Sequence, residues 1–441
     1  MVMATLAILM PPLLAMVFFP TPEDEGFLPS LPKDLWSRKC PVRVSTLGIW
    51  AIKIIIPYYH EEWFRIQMTL RSILRHTDMQ RIEEILLVSD GNDQQGIFER
   101  ELKAMHQKVQ VIVNEENKGL IVTKMETAAR ATAPVLMFLE PHVVVTPQWL
   151  EPLLARLEEE PKALVMPSLD VLNKDRLDWA DWEGDAKEGL SSDMTTYMRM
   201  QFLYWRFEWN LNLIVARRKT ANGSPSIFAF DRLALEADNP LRKDVDTSAP
   251  YPSPATSGGI YAIRKEWWDH LEFFDPELIR WGGDHVEASH KVWRCGGRIE
   301  IHPCSRVGHW FREEKDRPYT VQVPDVVRNY KRLAEVWLDG HRKSFYKVKP
   351  EAQSMHIGTL KEMKAARERL KCHDMDWYLK HVDVELAWEE DHICIPGASK
   401  AQFGCDSAAA PQRSTLDKVM STQEFRKAQN ALSADLRLPL P

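Results

Sequence analysis

The chain has 441 residues, of which 44% are hydrophobic and 27% are charged, and its formal net charge at pH 7 is -6. This length and composition are typical of a globular protein with a large core and room for a second small domain. The chain lacks the overall basic excess that is typical of nucleic-acid-binding proteins, so we expect no nucleic-acid partner.

The N-terminal residues 1–20 are apolar apart from Thr5, and the first charged residue is Glu23. About twenty such residues can span a bilayer, and a shorter apolar run is typical of a signal peptide. Both interpretations direct the chain to the secretory pathway, although no Lys or Arg precedes the run and Pro11-Pro12 interrupts it. The alternatives are a buried N-terminal arm and a fragment that lacks its true start. We expect residues 1–34 to be a signal anchor or signal peptide followed by a stem.

Strand-like and helix-like patterns alternate from Ile52 to Leu172. Short β-rich runs such as IKIIIPYY, EEILLV and VLMFL are separated by segments with apolar residues at helical spacing, such as EWFRIQMTLRSILRH and LIVTKMETAARATA. This alternation predicts right-handed crossovers and an α/β fold with a mostly parallel, Rossmann-like sheet flanked by helices.

Three predicted strand ends carry polar groups at the sheet edge where α/β proteins bind ligands. They are Tyr59-His60-Glu61, Ser89-Asp90-Gly91 and Glu140-Pro141-His142. Alternate residues of an extended chain point the same way, so Glu140 and His142 are spaced to bind one cation. The simpler alternative is that Glu140 accepts a hydrogen bond from a backbone N–H.

The strand periodicity weakens between Asp175 and Pro254, which we interpret as an insertion or a long substrate-side loop. Glycine pairs follow in SGGIYAI and RWGGDHVEASHKVWRCGG, and such pairs are typical of tight turns or close backbone approach. Beyond Pro350 the segment GTLKEMKAARERLKCHDMDWYL predicts a charged helix, and we expect the residues from Ala398 onward to be partly disordered.

The chain has six cysteines and no CxxC pair. An even number of cysteines in a lumenal protein is typical of disulfides. A zinc site built from Cys295, Cys304 and His302 is the alternative, but the spacing matches no familiar zinc finger.

Six segments in the order PYYHEEWFRIQMTLRSIL, EEILLVSDGND, GLIVTKMETAA, WLEPLLARL, RWGGDHVEASHKVWRCGGRIEIHPCSRVGHWFR and RLAEVWLDGHRKSFY resemble successive blocks of one family. That family is the polypeptide N-acetylgalactosaminyltransferases, which start mucin-type O-glycosylation. The similarity runs roughly from Cys40 to Leu379. It implies a GT-A fold, a UDP-sugar donor, Mn²⁺ and a Ser/Thr-containing polypeptide acceptor.

The resemblance also implies a domain organisation. A GT-A catalytic domain is expected at residues 35–350, with a nucleotide-binding half at 45–175 and a metal and acceptor half at 250–335. Residues 351–441 are expected to form a helical extension and tail without the lectin domain that usually follows in this family, so steering by prior glycosylation would be lost. The family implies the Golgi lumen and a type II membrane anchor.

For the metal, the resemblance implies three ligands. Glu140 and His142 fall on the family's Asp-x-His motif, and His309 falls on the histidine of a later block that is CSRVGHWFR in this chain. One carboxylate and two imidazoles leave open positions for diphosphate oxygens and suit Mn²⁺. The alternative for His309 is a buried core histidine.

Other site residues are implied one position at a time. Tyr59 and Asp90 match residues that contact the nucleoside, although Asp90 is also placed to cap the next helix. Lys124 is the cation near the donor, Gly258 and Gly259 match the backbone under the donor sugar, and Asp284 matches the acid that contacts that sugar. Trp281, Arg312 and Tyr319 match residues of the closing loop and the diphosphate site, with simple packing as the alternative for Trp281.

The family's disulfides match Cys40 with Cys304 and Cys295 with Cys372. This pairing leaves Cys394 and Cys405 as a candidate third pair. The sequon Asn222-Gly223-Ser224 would be glycosylated in the lumen if it is exposed.

Several residues depart from the family's pattern. Glu140 replaces an Asp and Pro141 a small residue, WGGDH replaces WGGEN, and Val122 stands where the family usually has Arg. Ser89 replaces the first acid of an Asp pair, and PYTVQVPD replaces a Gly-rich stretch. The expected reaction is Mn²⁺-dependent, retaining transfer of GalNAc from UDP-GalNAc to Ser/Thr hydroxyls, in which the departing β-phosphate accepts the acceptor's proton. The alternatives are another UDP-sugar, or a relative that binds nucleotide or peptide without turnover.

Overall fold

The computed structural model describes residues 40, 51–172, 203–217, 248–312, 317 and 319–390. These residues form eleven strands and eleven α-helices. The strands are β1 Ile52–Tyr58, β2 Ile82–Asp90, β3 Val109–Asn114, β4 Val135–Phe138, β5 Val143–Val145, β6 Ala163–Val171, β7 Leu203–Phe207, β8 Leu213–Arg217, β9 Tyr251–Pro252, β10 Tyr261–Arg264 and β11 Arg298–His309. The helices are α1 Trp63–His76, α2 Glu99–Met105, α3 Leu120–Ala129, α4 Glu151–Glu159, α5 Lys265–His270, α6 Asp284–Arg294, α7 Val323–Trp337, α8 Arg342–Val348, α9 Lys361–Arg369, α10 Met375–His381 and α11 Val384–Glu390.

One nine-stranded sheet organises the fold, in the order β3-β2-β1-β4-β10-β6-β11-β5, with β9 paired to β11. The predicted parallel arrangement is present in β3, β2, β1 and β4. The other half of the sheet is mixed, because β10 runs antiparallel to both β4 and β6. β10 follows β6 only after a long connection, so the crossover rule for compact β-α-β units does not set its direction.

The sheet has a hydrophobic core on each face. Ile54 and Ile56 of β1 belong to one core and Ile55 belongs to the other, as expected for side chains that alternate along a strand. Both faces of β1 are therefore covered, which is why its sequence is a continuous apolar run.

Helix α1 holds strand β5 next to the site. Thr69 Oγ1 accepts a hydrogen bond from Val143 N and donates one to Val143 O, both at 2.9 Å. Ser72 Oγ accepts from Val145 N at 3.1 Å. Small polar residues on the buried face of α1 thus form hydrogen bonds with the backbone groups at the edge of β5 and fix the turn before this strand.

The helices of the C-terminal half pack onto the same body. Tyr378 of α10 is fully buried, and its hydroxyl donates to Pro254 O at 2.9 Å. The disulfide Cys295–Cys372 joins the end of α6 to the segment before α10, and Cys40–Cys304 joins the N-terminal side of the domain to β11. Both pairings expected from the resemblance are present.

Some expectations fall outside the described residues. These are the N-terminal apolar segment, the tail from residue 391 with Cys394 and Cys405, and the sequon at Asn222. Within the segment expected to be an insertion or loop, the structure describes a hairpin of β7 and β8. In the described ranges, no helix combines the length and apolar composition needed to cross a membrane.

Candidate active site

The carboxyl ends of β1, β2 and β4 meet at one edge of the sheet and border a cavity of about 670 Å³. Parallel strands bring their ends to the same edge, so the polar strand ends noted in the sequence lie together. The predicted site residues that line this cavity are Tyr59, Asp90, Lys124, Glu140, His142, Gly259, Trp281, Arg312 and Tyr319. Gly258, Asp284 and His309 are not among the lining residues.

Glu140, His142 and His309 form a compact cluster. Glu140 Oε2 is 2.6 Å from His309 Nε2 and 3.0 Å from His142 Nε2. One ligand atom from each residue lies within 4.8 Å of the others. The cluster forms because His309 ends β11, where it pairs with Val143 at the start of β5, directly after the turn that carries Glu140 and His142.

The electrostatics of the cluster favour a carboxylate beside imidazoles. Burial acts to raise the pKa of Glu140, but the charge of His309 and hydrogen bonds from both imidazoles hold that pKa well below its usual value. Burial lowers the pKa of His309, and Glu140 only partly opposes this. Burial also disfavours the charged form of His142, but its bonds to Glu140 and Glu61 raise its pKa overall. One carboxylate oxygen and two imidazole nitrogens that converge in this way fit a divalent transition metal such as Mn²⁺.

Gly259 lies against the cluster. A Cβ atom at this position would be 1.9 Å from Glu140 Oε1, so only glycine leaves space for this carboxylate. Gly258 has φ of +83°, and its Cβ position is 3.0 Å from His285 Cβ. The glycine pair therefore serves a close approach of protein groups, which is one of the two uses expected from the sequence.

Asp90 binds the backbone segment that leads into α3. Its carboxylate accepts hydrogen bonds from Lys118 N at 3.1 Å, Gly119 N at 2.9 Å and Asn114 Nδ2 at 2.8 Å. Gly119 is the N-cap of α3, whereas the next helix in the chain is α2, so these contacts do not form the expected cap of the next helix. Asp90 also lines the cavity, and its contact with a nucleoside stays a prediction.

Lys124 and Asp284 form a buried ion pair. Lys124 Nζ is 2.9 Å from Asp284 Oδ2 and donates to Gly258 O at 2.6 Å. Burial acts to raise the pKa of Asp284, but the Lys124 charge outweighs it and holds the pKa well below its usual value. Asp284 is 4% exposed at the first residue of α6, where the helix dipole favours an acid. Lys124, and not Asp284, borders the cavity.

The segment from Tyr319 to Val326 forms one wall of the cavity, with Trp281 beside it. Arg280 pairs with Asp325 across this wall. Asn329 Nδ2 donates to Ile279 O at 2.8 Å and Gly282 O at 2.9 Å, which fixes the loop that carries Trp281. The role of Trp281 in loop closure stays a prediction.

Glu61 was noted in the sequence as part of a polar strand end, but without a role of its own. Its buried carboxylate contacts His142 Nδ1 at 2.9 Å and also the Arg312 guanidinium. Burial acts to raise the pKa of Glu61, but His142 and Arg312 together lower it. The only sequence signal was its place in the polar end of β1, because its partners lie far away along the chain.

Comparison with known proteins finds similar glycosyltransferases. The chain matches the family Glycosyl transferase family 2 over residues 53–232 and the family described as the N-terminal domain of galactosyltransferase over residues 242–316. It is 32% identical to polypeptide N-acetylgalactosaminyltransferase 4 of Caenorhabditis elegans over 414 residues, which cover 89% of this chain and 64% of the relative. It is 30% identical to polypeptide N-acetylgalactosaminyltransferase 16 of Homo sapiens, with 87% of this chain and 62% of the relative covered.

A solved structure extends the likeness to the fold. The crystal structure of GalNAc-T7 with UDP, GalNAc and Mn²⁺ superposes with a TM-score of 0.63 and 25% sequence identity, covering 78% of this chain and 58% of that one. The chain thus spans less than two thirds of the length of these relatives. In sequence and in its GT-A fold, the chain is a homologue of the polypeptide N-acetylgalactosaminyltransferases.

Proposed function

We propose that this protein transfers GalNAc from UDP-GalNAc to Ser or Thr hydroxyls of polypeptides, with retention of configuration and with Mn²⁺ as cofactor. The observation that carries the proposal is the cluster of Glu140, His142 and His309 at the edge of a 670 Å³ cavity. The solved structure of the relative contains UDP, GalNAc and Mn²⁺, which supports the same donor and metal for this protein.

In this mechanism Glu140, His142 and His309 would hold Mn²⁺, which would neutralise negative charge on the diphosphate. Arg312 and Tyr319 border the same cavity and are positioned to contact the diphosphate. Tyr59 lines the cavity at the end of β1, with its ring 6.4 Å from that of Tyr319. The Tyr59 ring would pack against the base.

The lining residues favour a reaction without a protein nucleophile. Among the described residues four carboxylates line the cavity, and each has a partner: Glu61 pairs with Arg312, Asp90 with backbone N–H groups, Glu140 with His309 and Asp325 with Arg280. A carboxylate engaged in this way is poorly placed to attack a sugar. The acceptor hydroxyl would therefore attack from the face of the leaving group and pass its proton to the departing β-phosphate. The protein's contribution is positioning and charge neutralisation.

A related UDP-sugar is the second candidate for the donor. The sugar-contacting acid expected at Asp284 lies behind Lys124 and does not line the cavity. A cation at the cavity wall in place of an acid would change which sugar hydroxyls are recognised, because an ammonium donates hydrogen bonds and cannot accept them.

The test is release of UDP from a panel of UDP-sugars by the purified chain, with and without Mn²⁺ and a Thr-rich peptide. We expect release from UDP-GalNAc only with Mn²⁺, together with a glycosylated peptide by mass spectrometry. Turnover of another donor alone would support the second candidate. Binding of UDP without release from any donor would contradict both and indicate a nucleotide-binding relative.

We also propose that the protein acts in the lumen of the secretory pathway, as a Golgi enzyme with an N-terminal type II anchor. The two disulfides support an oxidising compartment. Glycosidase treatment of the protein from secretory cells should increase its mobility if Asn222 carries a glycan. If glycosidase treatment leaves the mobility of both the wild type and Asn222→Gln unchanged, Asn222 carries no glycan and the experiment does not support a lumenal location.

A further inference from the structure

Glu61 lies behind the candidate metal ligands, between His142 and Arg312. Its side chain is 2% exposed, and Oε2 lies 2.9 Å from His142 Nδ1. The same oxygen contacts the Arg312 guanidinium, while Oε1 accepts from Glu62 N at 3.2 Å. Both oxygens are engaged, so the carboxylate is held in one orientation.

This contact determines which nitrogen of His142 carries a proton. An ionised carboxylate accepts hydrogen bonds and cannot donate them, so the 2.9 Å contact with Glu61 requires a proton on His142 Nδ1. Arg312 Nη2 also lies 3.2 Å from His142 Nδ1. With a proton on Nδ1 both nitrogens are donors, so they do not bond to each other and both donate to the Glu61 oxygen.

The opposite nitrogen faces the cluster. When Nδ1 of a neutral imidazole is protonated, the lone pair available to a metal is on Nε2. His142 Nε2 is the atom 3.0 Å from Glu140 Oε2, so it also carries a proton in that contact, and a metal bound there would replace this proton while Nδ1 keeps its own. The ring is also confined by the edge of Trp310, with ring centroids 5.9 Å apart. Glu61 therefore lies on one side of the ring and the other two ligands lie on the other.

We propose that Glu61 is a positioning residue of the metal site, which holds His142 in the Nδ1-protonated tautomer with Nε2 directed at Glu140 and His309. The inference rests on the proposed function in taking Mn²⁺ as the bound ion. Loss of a carboxylate behind a metal-ligating histidine typically weakens metal binding about 10–100-fold.

The experiment measures the dissociation constant for Mn²⁺ alone, without nucleotide, in the full chain and its variants. We expect Glu61→Ala to weaken binding at least about 10-fold, and Glu61→Gln, which keeps an oxygen acceptor, to weaken it less. The matched control is Glu62→Ala, because the neighbouring Glu62 side chain is 68% exposed and pairs with Arg65 instead. This control should bind Mn²⁺ like the wild type.

A second measurement uses the wild type and needs no stable variant. ¹⁵N NMR with diamagnetic Cd²⁺ in place of Mn²⁺ should show His142 protonated at Nδ1 and metal-bound at Nε2. The reverse tautomer would overturn the inference, as would unchanged Mn²⁺ affinity in folded Glu61→Ala or no Mn²⁺ binding by the wild type. If Mn²⁺ binds and depends on Glu61 but no UDP-sugar is turned over, the proposed function fails and the role of Glu61 stands.

Discussion

Gly259 provides the space that the Glu140 carboxylate occupies, since a Cβ at residue 259 would lie 1.9 Å from Glu140 Oε1. Glu140 is one methylene longer than the Asp that the family resemblance places at this position. Its carboxylate reaches the two imidazoles only because residue 259 has no side chain. The glycine and the longer acid are therefore one structural unit.

The first prediction tests this unit. Gly259→Ala should displace Glu140 by about 1 Å and lower Mn²⁺-dependent turnover about 100-fold, because misplacement on this scale costs that much at catalytic sites. The shorter acid in Gly259→Ala/Glu140→Asp should restore part of the loss. Gly340→Ala is the control, because no atom of the described part of the chain lies within 4 Å of a Cβ there. Equal activity of Gly259→Ala and Gly340→Ala would contradict the prediction.

The second prediction concerns the ligands themselves. Glu140→Gln and His309→Ala should each lower Mn²⁺-dependent turnover at least about 100-fold, because each removes a group that holds the charge-neutralising ion. Circular dichroism should show both variants folded. Glu266→Gln serves as a control at an acid whose side chain is 87% exposed. Wild-type turnover in either ligand variant would refute the assignment of that residue.

The third prediction concerns the buried pair Lys124–Asp284. Lys124→Met leaves the Asp284 carboxylate buried without its cation, and we expect the free energy of unfolding to fall by about 3–5 kcal/mol. Removing both charges in Lys124→Met/Asp284→Asn should be less damaging than Lys124→Met alone. Urea unfolding measures both changes, and a double variant as unstable as the single one would argue against a charge effect.

The fourth prediction concerns pH. Burial, and secondarily the charge of Arg294, hold the pKa of His290 well below its usual value, and neither ring nitrogen has a hydrogen-bond partner among the residues that the structure describes. The unfolded chain binds this proton as the pH falls below about 6.5 while the folded chain does not, so the free energy of unfolding falls with pH. Between pH 7 and pH 5 the loss should reach about 2 kcal/mol. His290→Phe should remove that part of the pH dependence in urea titrations at the two pH values, and an unchanged slope would rule out His290 as its source.

The fifth prediction concerns the disulfide Cys295–Cys372, which closes a loop with a sequence separation of 77. Cys295→Ser should lower stability by about 4 kcal/mol under oxidising conditions, because the unfolded chain is no longer constrained. Under reducing conditions wild type and variant should unfold at similar temperatures. Thermal melts with and without dithiothreitol make the comparison, and equal shifts in both would argue against the bond.

Local sequence patterns predicted much of the structure of residues 51–172. The apolar run of β1 and the helical spacing in α1 depend on side-chain alternation and on the 3.6-residue turn, which act over short distances. The spacing of Glu140 and His142 likewise follows from an extended backbone. The third ligand, His309, came from the family resemblance, since no local pattern connects it to the other two.

What the sequence alone determined is therefore the α/β class, the strand ends that carry the polar groups and, through the resemblance, the three residues of the Glu140 cluster and the disulfide pairs. The tertiary structure decided the antiparallel direction of β10. It also decided the contact of Glu61 with His142, which are 81 residues apart in sequence, and the ion pair of Lys124 with Asp284, which are 160 residues apart. The physical reason is that periodicity and turns depend on neighbouring residues. Contacts between separate elements depend on sheet order and register, which only the folded core establishes.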